Sequence, residues 1–118
     1  MQYLLLIYSD ESYWPSITEE ERQRWMAEYR AFTESIQKSG HYKAGQSLQP
    51  TRSARTVRVR DGQTLATDGP FAETVEQLGG FYWIEAKDLD EAAAIAARIP
   101  SARGGSIEVR PIEVFKRP

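Results

Sequence analysis

The chain has 118 residues and a mass of 13.4 kDa, the size of one ordinary domain spanning residues 1–118. Its 15 basic and 17 acidic residues leave a net charge of −2, with 41% hydrophobic and 27% charged residues. That balance excludes a disordered tail and gives no electrostatic case for direct nucleic-acid binding; with no Cys and a single His, disulfide scaffolds, thiolate nucleophiles and multi-His metal sites within one chain are excluded as well.

The longest strongly apolar run, residues 3–8, is too short to cross a bilayer or to form a signal-peptide core. The expectation is a cytoplasmic protein without membrane contact. Both alternating sets of that run, Tyr3/Leu5/Ile7 and Leu4/Leu6/Tyr8, are apolar, which predicts a strand covered on both faces. Ser9 to Ser12 break it, and Trp14-Pro15 is predicted to be extended, because the residue before proline avoids helix. A helix follows, with Thr18 and Glu21 as a capping box, glutamates 19–21 in the first turn, and Gly40 as its left-handed stop. Trp25, Tyr29, Phe32 and Ile36 fall on one face of it, as core or as a ligand wall.

Residues 41–48 read as a second strand weakened by Gly45. Residues 54–60 and 63–67 read as a hairpin turning at Asp61-Gly62, with a polar face and one side in water. Asp68-Gly69-Pro70-Phe71 is a turn, residues 72–78 are compatible with one helical turn, and Gly79-Gly80 precede the next strand. That strand, residues 81–86, is again apolar on both sides. Asp88 with Glu91 caps a second helix whose apolar face is Leu89, Ala92, Ala93, Ala96 and Ile99, stopped by Pro100. Residues 107–115 form a final strand, and Pro111 within it suits an edge or a bulge.

The order β-α-β-(hairpin)-β-α-β is that of an α+β, ferredoxin-like split βαβ with an inserted β-hairpin. Right-handed crossovers put both helices on one side of the sheet, although its two central strands are apolar on both faces. The uncovered face is expected to bury itself against a second copy, giving a homodimer that closes as a dimeric α+β barrel.

The stretch Thr67-Asp68-Gly69-Pro70-Phe71-Ala72-Glu73-Thr74, followed by Glu76-Gln77-Leu78-Gly79-Gly80-Phe81-Tyr82, resembles the signature of the DGPF group of YCII-related proteins. The resemblance extends to the opening Leu-Leu-Ile-Tyr-Ser-Asp-Glu, to Thr56-Val57-Arg58, to residues 88–98, and to Glu108-Val109-Arg110-Pro111. It implies a bacterial protein with a ferredoxin-like fold forming dimeric α+β barrels. It also implies suspected enzymatic activity from a His and Asp pair near a cleft, and, for the DGPF group, association with extracytoplasmic-function sigma factors. The first helix lacks the His that the resemblance leads one to expect; the one imidazole is His41, which would have to fold back toward Asp68.

Asp68 is the leading catalytic candidate: a cleft carboxylate raised in pKa by burial and acting as a base, or simply the first residue of a turn. His41 is a weaker one, a proton shuttle or a helix-end surface residue. Glu73 is a second carboxylate of the same loop or the acidic start of a short helix, and Gly69 and Phe71 beside Asp68 are ligand-binding candidates; Tyr8, Tyr82 and Trp83 of the central strands line a small-molecule site or fill the dimer core. Arg58 belongs to a run with Arg52, Arg55 and Arg60 that could receive an anionic ligand or an acidic partner, or form a solvated outer face. Glycine-rich phosphate loops, the nucleophile elbow and the HExxH motif are all absent, so neither cofactor nor metal is expected. The leading reading is a protein that binds a small metabolite in a dimeric barrel cleft, with or without cofactor-free acid/base chemistry. The competing one is a non-catalytic interaction module with a sigma-factor-linked protein partner.

Overall fold

Strand β1 (Gln2–Ser9) opens the chain in a computed structural model that describes residues 1–115; the last three residues of the expected domain lie outside it. Trp14 and Pro15 are helical rather than extended: they sit inside the short helix α1 (Tyr13–Ser16). The missing N–H of Pro15 falls in a first turn, where no intrahelical acceptor exists for it. Helix α2 (Glu19–Lys38) starts at the expected capping box. The Thr18 hydroxyl accepts from the Glu21 N–H at 3.1 Å, and the Glu21 carboxylate accepts from the Thr18 N–H. Gly40 then takes a positive φ of 81°. Phe32 and Ile36 of the predicted face are buried, whereas Trp25 and Tyr29 are only partly covered.

Strand β2 (Tyr42–Ser47) leads to the hairpin of β3 (Arg55–Arg60) and β4 (Gln63–Asp68). Asp61 and Gly62 both have positive φ, as a two-residue type I′ turn requires. Strand β5 (Gln77–Glu85) starts earlier than expected: Gly79 and Gly80 are inside it, and no helix forms over residues 72–78. A Cβ on Gly80 would come within 2.8 Å of the Gln46 carbonyl on β2, so this position allows close strand approach. Helix α3 (Leu89–Ala96) is capped by Asp88, which accepts from the Glu91 N–H at 2.8 Å. Its buried stripe is Ala92, Ile95 and Ala96, continued by Ile99, while Leu89 and Ala93 of the expected face point outward. Strand β6 (Ser106–Pro111) is shorter than predicted and ends at its proline, on a sheet edge as expected.

The four-stranded sheet has the order β2-β5-β1-β6, and every neighbouring pair is antiparallel. This is the ferredoxin-like α+β arrangement. Tyr3, Leu5 and Ile7 of β1 and Tyr82 and Ile84 of β5 pack against Phe32 and Ile36 of α2 and Ile95 and Ile99 around α3. Both helices therefore cover the same face. The opposite face is built from cross-strand rows: Ala44–Trp83–Leu4–Arg110, then Gln46–Phe81–Leu6–Glu108, then Leu78–Tyr8–Ser106. Large apolar side chains occupy its centre and polar ones its rim. Trp83 is 37% exposed there, its indole N–H donating to Gln2 Oε1 at 3.1 Å. No helix among the described residues is long and apolar enough to cross a membrane.

The core predicts a sharp contrast between two apolar residues. Ile84 is fully buried, so Ile84→Ala should destabilise the fold by about 2–5 kcal/mol. Leu89→Ala, at an exposed position, should cost less than about 0.5 kcal/mol. Urea denaturation of the two variants checks this; equal losses would contradict the packing described.

Candidate functional site

The loop between β4 and β5 is held at both ends. Gly69, at φ 109°, donates its N–H to the Ala54 carbonyl at 2.8 Å and accepts from the Thr56 hydroxyl at 2.9 Å, which ties the loop to the base of the hairpin. At the other end the Gln77 amide accepts from the Glu11 N–H at 2.9 Å and donates to the Thr74 carbonyl. Glu11, just past β1, in turn accepts from the N–H of Thr51 at 3.0 Å and from its hydroxyl. Three segments that are distant in sequence thus converge: the end of β1, the 3-10 turn Thr51–Ser53, and the loop. Between the turn and the loop lies an open recess of about 220 Å³, lined by Thr51, Arg52, Pro70, Ala72, Glu73, Thr74 and Gln77.

The predicted candidates are only partly brought together. Glu73 lines the recess, and Gly69 is the loop's pivot. Asp68 does not line it. Its side chain is 82% exposed and ion-paired with Arg55 at 3.1 Å, so the burial expected of a cleft base is not found. It ends β4, where the carboxylate is free to meet water. Phe71 is also exposed, with the Arg58 guanidinium 5.7 Å above its ring; Arg58 is thereby held at the hairpin, outside the recess. Tyr8 and Trp83 lie on the open sheet face, in line with the alternation that puts Tyr82 and Trp83 on opposite faces. Tyr82 lies on the other face: it packs edge-on to Phe32, and its hydroxyl bonds Thr33 Oγ1 at 2.7 Å. Burial raises that hydroxyl's pKa, and the residue is core rather than ligand wall.

His41 does not fold back toward Asp68. Its Nδ1 meets the Ser39 hydroxyl at 2.6 Å and its Nε2 meets Glu91 Oε1 at 3.1 Å, at the opposite end of β2 from the loop. The imidazole joins the end of α2 to the start of α3. No group of three or more His, Cys, Asp or Glu suited to a metal is present among the described residues.

Residues that pattern reading missed carry the site. Arg52 stood in the run of arginines but was not singled out; among the described residues it makes no ion pair, whereas Arg55 pairs with Asp68, Arg58 covers Phe71 and Arg60 donates to the Val59 carbonyl. Glu11 and Gln77 were visible only as parts of the resemblance, and Thr51 had no signal at all.

Hydrogen bonds from Thr51, hydroxyl first and N–H second, hold the Glu11 carboxyl below its ordinary value. The Lys87 N–H, and after it His41, do the same for Glu91. A carboxyl lowered on folding contributes stability that is complete above its ordinary value of 4.5 and is lost as pH falls through the folded value. Glu11→Gln should therefore be less stable than the parent at neutral pH, and the difference should close in strongly acidic buffer. Urea midpoints at the two extremes check this, and a difference independent of pH would contradict it.

The YCII-related domain model matches residues 1–116. An uncharacterized protein of Rhizobium meliloti (strain 1021) is 41% identical over 118 residues, covering 98% of this chain and 95% of that protein. Together with the ferredoxin-like sheet and its single helical layer, these matches establish that the chain belongs to the YCII-related family.

Proposed function

We propose that this chain is a cytoplasmic homodimer of the DGPF group that binds a small carboxylate-bearing metabolite in the recess beneath the loop after β4. The observation that carries the reading is Arg52, placed on the wall of that recess; it makes no ion pair among the described residues, although its charge already helps to lower the Glu11 carboxyl nearby. A guanidinium receives a carboxylate through two parallel hydrogen bonds, a geometry a point charge does not supply. The loop adds donors, because none of the N–H groups of residues 71–75 bonds to a protein acceptor among the described residues. Glu73 on the same wall disfavours ligands of high negative charge and complements a hydroxyl or ammonium group on the bound molecule. A volume of about 220 Å³ suits a metabolite of a few heavy atoms rather than a nucleotide.

Homodimerisation rests on the open sheet face, with its apolar centre and polar rim, the composition of a protein interface. The exposure of Asp68 and its pairing with Arg55 favour binding over proton abstraction by that residue. A second reading, an interaction module for a sigma-factor-linked protein, draws on the exposed valines of the hairpin.

The test is a thermal-shift screen of small carboxylates. A ligand at a hundredfold excess over its Kd stabilises by about 2.7 kcal/mol, a shift of several degrees for a domain of this size. The expected result is a hit that Arg52→Gln abolishes and Asp68→Asn keeps. Silence across the library, or a hit indifferent to Arg52→Gln, contradicts the reading.

A further inference from the structure

We infer that the ligand of the recess beneath the loop after β4 is a small α-amino acid, its carboxylate on Arg52 and its ammonium on Glu73. This rests on the carboxylate-binding reading and narrows the class of ligand. Three of the side chains that line the recess already have protein partners. The Thr51 hydroxyl donates to Glu11, the Thr74 hydroxyl donates to the Glu76 carbonyl, and the Gln77 amide accepts from the Glu11 N–H and donates to the Thr74 carbonyl. Pro70 and Ala72 are apolar. Arg52 and Glu73 are left. Among the described residues neither side chain makes a hydrogen bond or an ion pair, and they do not pair with each other across the recess.

Both walls that carry these charges are anchored. On the Arg52 side the Thr51 N–H and hydroxyl reach Glu11, and the Ser53 N–H and hydroxyl both donate to the Pro50 carbonyl, at 3.0 and 2.7 Å. On the Glu73 side the loop is tied at Gly69 to Ala54 and Thr56, and at Gln77 to Ser9 of β1 through the sheet register. The gap between cation and anion is thereby left to a ligand that brings the two complementary charges.

Charge selects among carboxylates of this size. Glu11 lies near enough for the Arg52 cation to help lower its carboxyl, so Arg52 has two carboxylates in its surroundings, Glu11 and Glu73. A ligand that brings only a further negative charge is repelled by both. One that also brings an ammonium offsets that repulsion with an attraction at Glu73. A hydroxyl in the same place gives Glu73 a hydrogen bond but no opposite charge. An α-amino acid carries both charged groups on one carbon, so the pair fits a recess of about 220 Å³, and Pro70 and Ala72 suit a short alkyl side chain.

The experiment titrates L-alanine, L-lactate and propionate into the isotope-labelled full chain at neutral pH and constant ionic strength. The three differ only in bearing an ammonium, a hydroxyl or a hydrogen beside the carboxylate. NMR follows the amides of residues 51–54 and 71–77. The expected order of affinity is alanine, lactate, propionate, with about a three- to fivefold preference for alanine over lactate. Glu73→Gln removes most of that preference, and Arg52→Gln weakens all three ligands. Both positions are exposed, and an unchanged spectrum elsewhere shows that each variant is folded; the comparison of the three ligands on the parent needs no variant. Lactate or propionate binding as tightly as alanine, or a preference that survives Glu73→Gln, overturns the amino acid and leaves the carboxylate reading in place. Amide shifts that are absent with all three, or indifferent to Arg52→Gln, overturn both.

Discussion

Two central strands that are apolar on both faces, in a sheet with helices on only one side, set the terms for everything else in this molecule. Tyr3, Leu5, Ile7, Tyr82 and Ile84 spend one face on the helical layer. Leu4, Leu6, Phe81 and Trp83 occupy the other, where no helix among the described residues covers them. Fully withdrawing such a side chain from water is worth about 1.5–3 kcal/mol, and these are already half withdrawn by their neighbours. Eight of them across two copies therefore return about 6–12 kcal/mol, against an association cost of about 4–15 kcal/mol. The sheet face alone brings a dimer close to balance.

The same layout locates the recess. Strand β1 ends in Ser9, and its continuation carries Glu11 to the turn at Thr51 and to Gln77 at the start of β5. Glu11 thus ties two connections, its carboxylate to Thr51 and its backbone N–H to Gln77, and the loop between Gly69 and Gln77 hangs across the gap. The loop has no regular structure because the hairpin fixes one end and the β5 register fixes the other. Among the described residues the N–H groups of residues 71–75 meet no protein acceptor and Arg52 makes no ion pair, and the proposed carboxylate site draws on both.

Much of the fold was legible because its signals are local. The Thr18/Glu21 box, the positive-φ turn at Asp61-Gly62 and the double apolar alternation of β1 each declare an element within a few residues. Errors arose where tertiary pairing overrode local preference. Gly79-Gly80 looked like punctuation, yet they sit inside β5, where β2 approaches too closely for a side chain at Gly80. Leu89 fitted the helical period, but α3 is short and rolls toward Ile95, leaving it in water. The site was less legible than the fold. Asp68 drew attention by its motif, while its ion pair with Arg55 depends on a cross-strand register. Arg52 and Arg58 are alike in sequence and differ only in what lies beside them: a recess for one and the Phe71 ring for the other.

The central claim is that the apolar sheet face is an interface between two copies. Sedimentation equilibrium of the parent chain beside Trp83→Asp, at micromolar concentration, tests it most directly. The account predicts a mass of twice 13.4 kDa for the parent and a folded monomer for the variant, because a carboxylate at Trp83 cannot be buried against a second sheet without a partner. A monomeric parent, or a variant that dimerises as tightly as the parent, would contradict it.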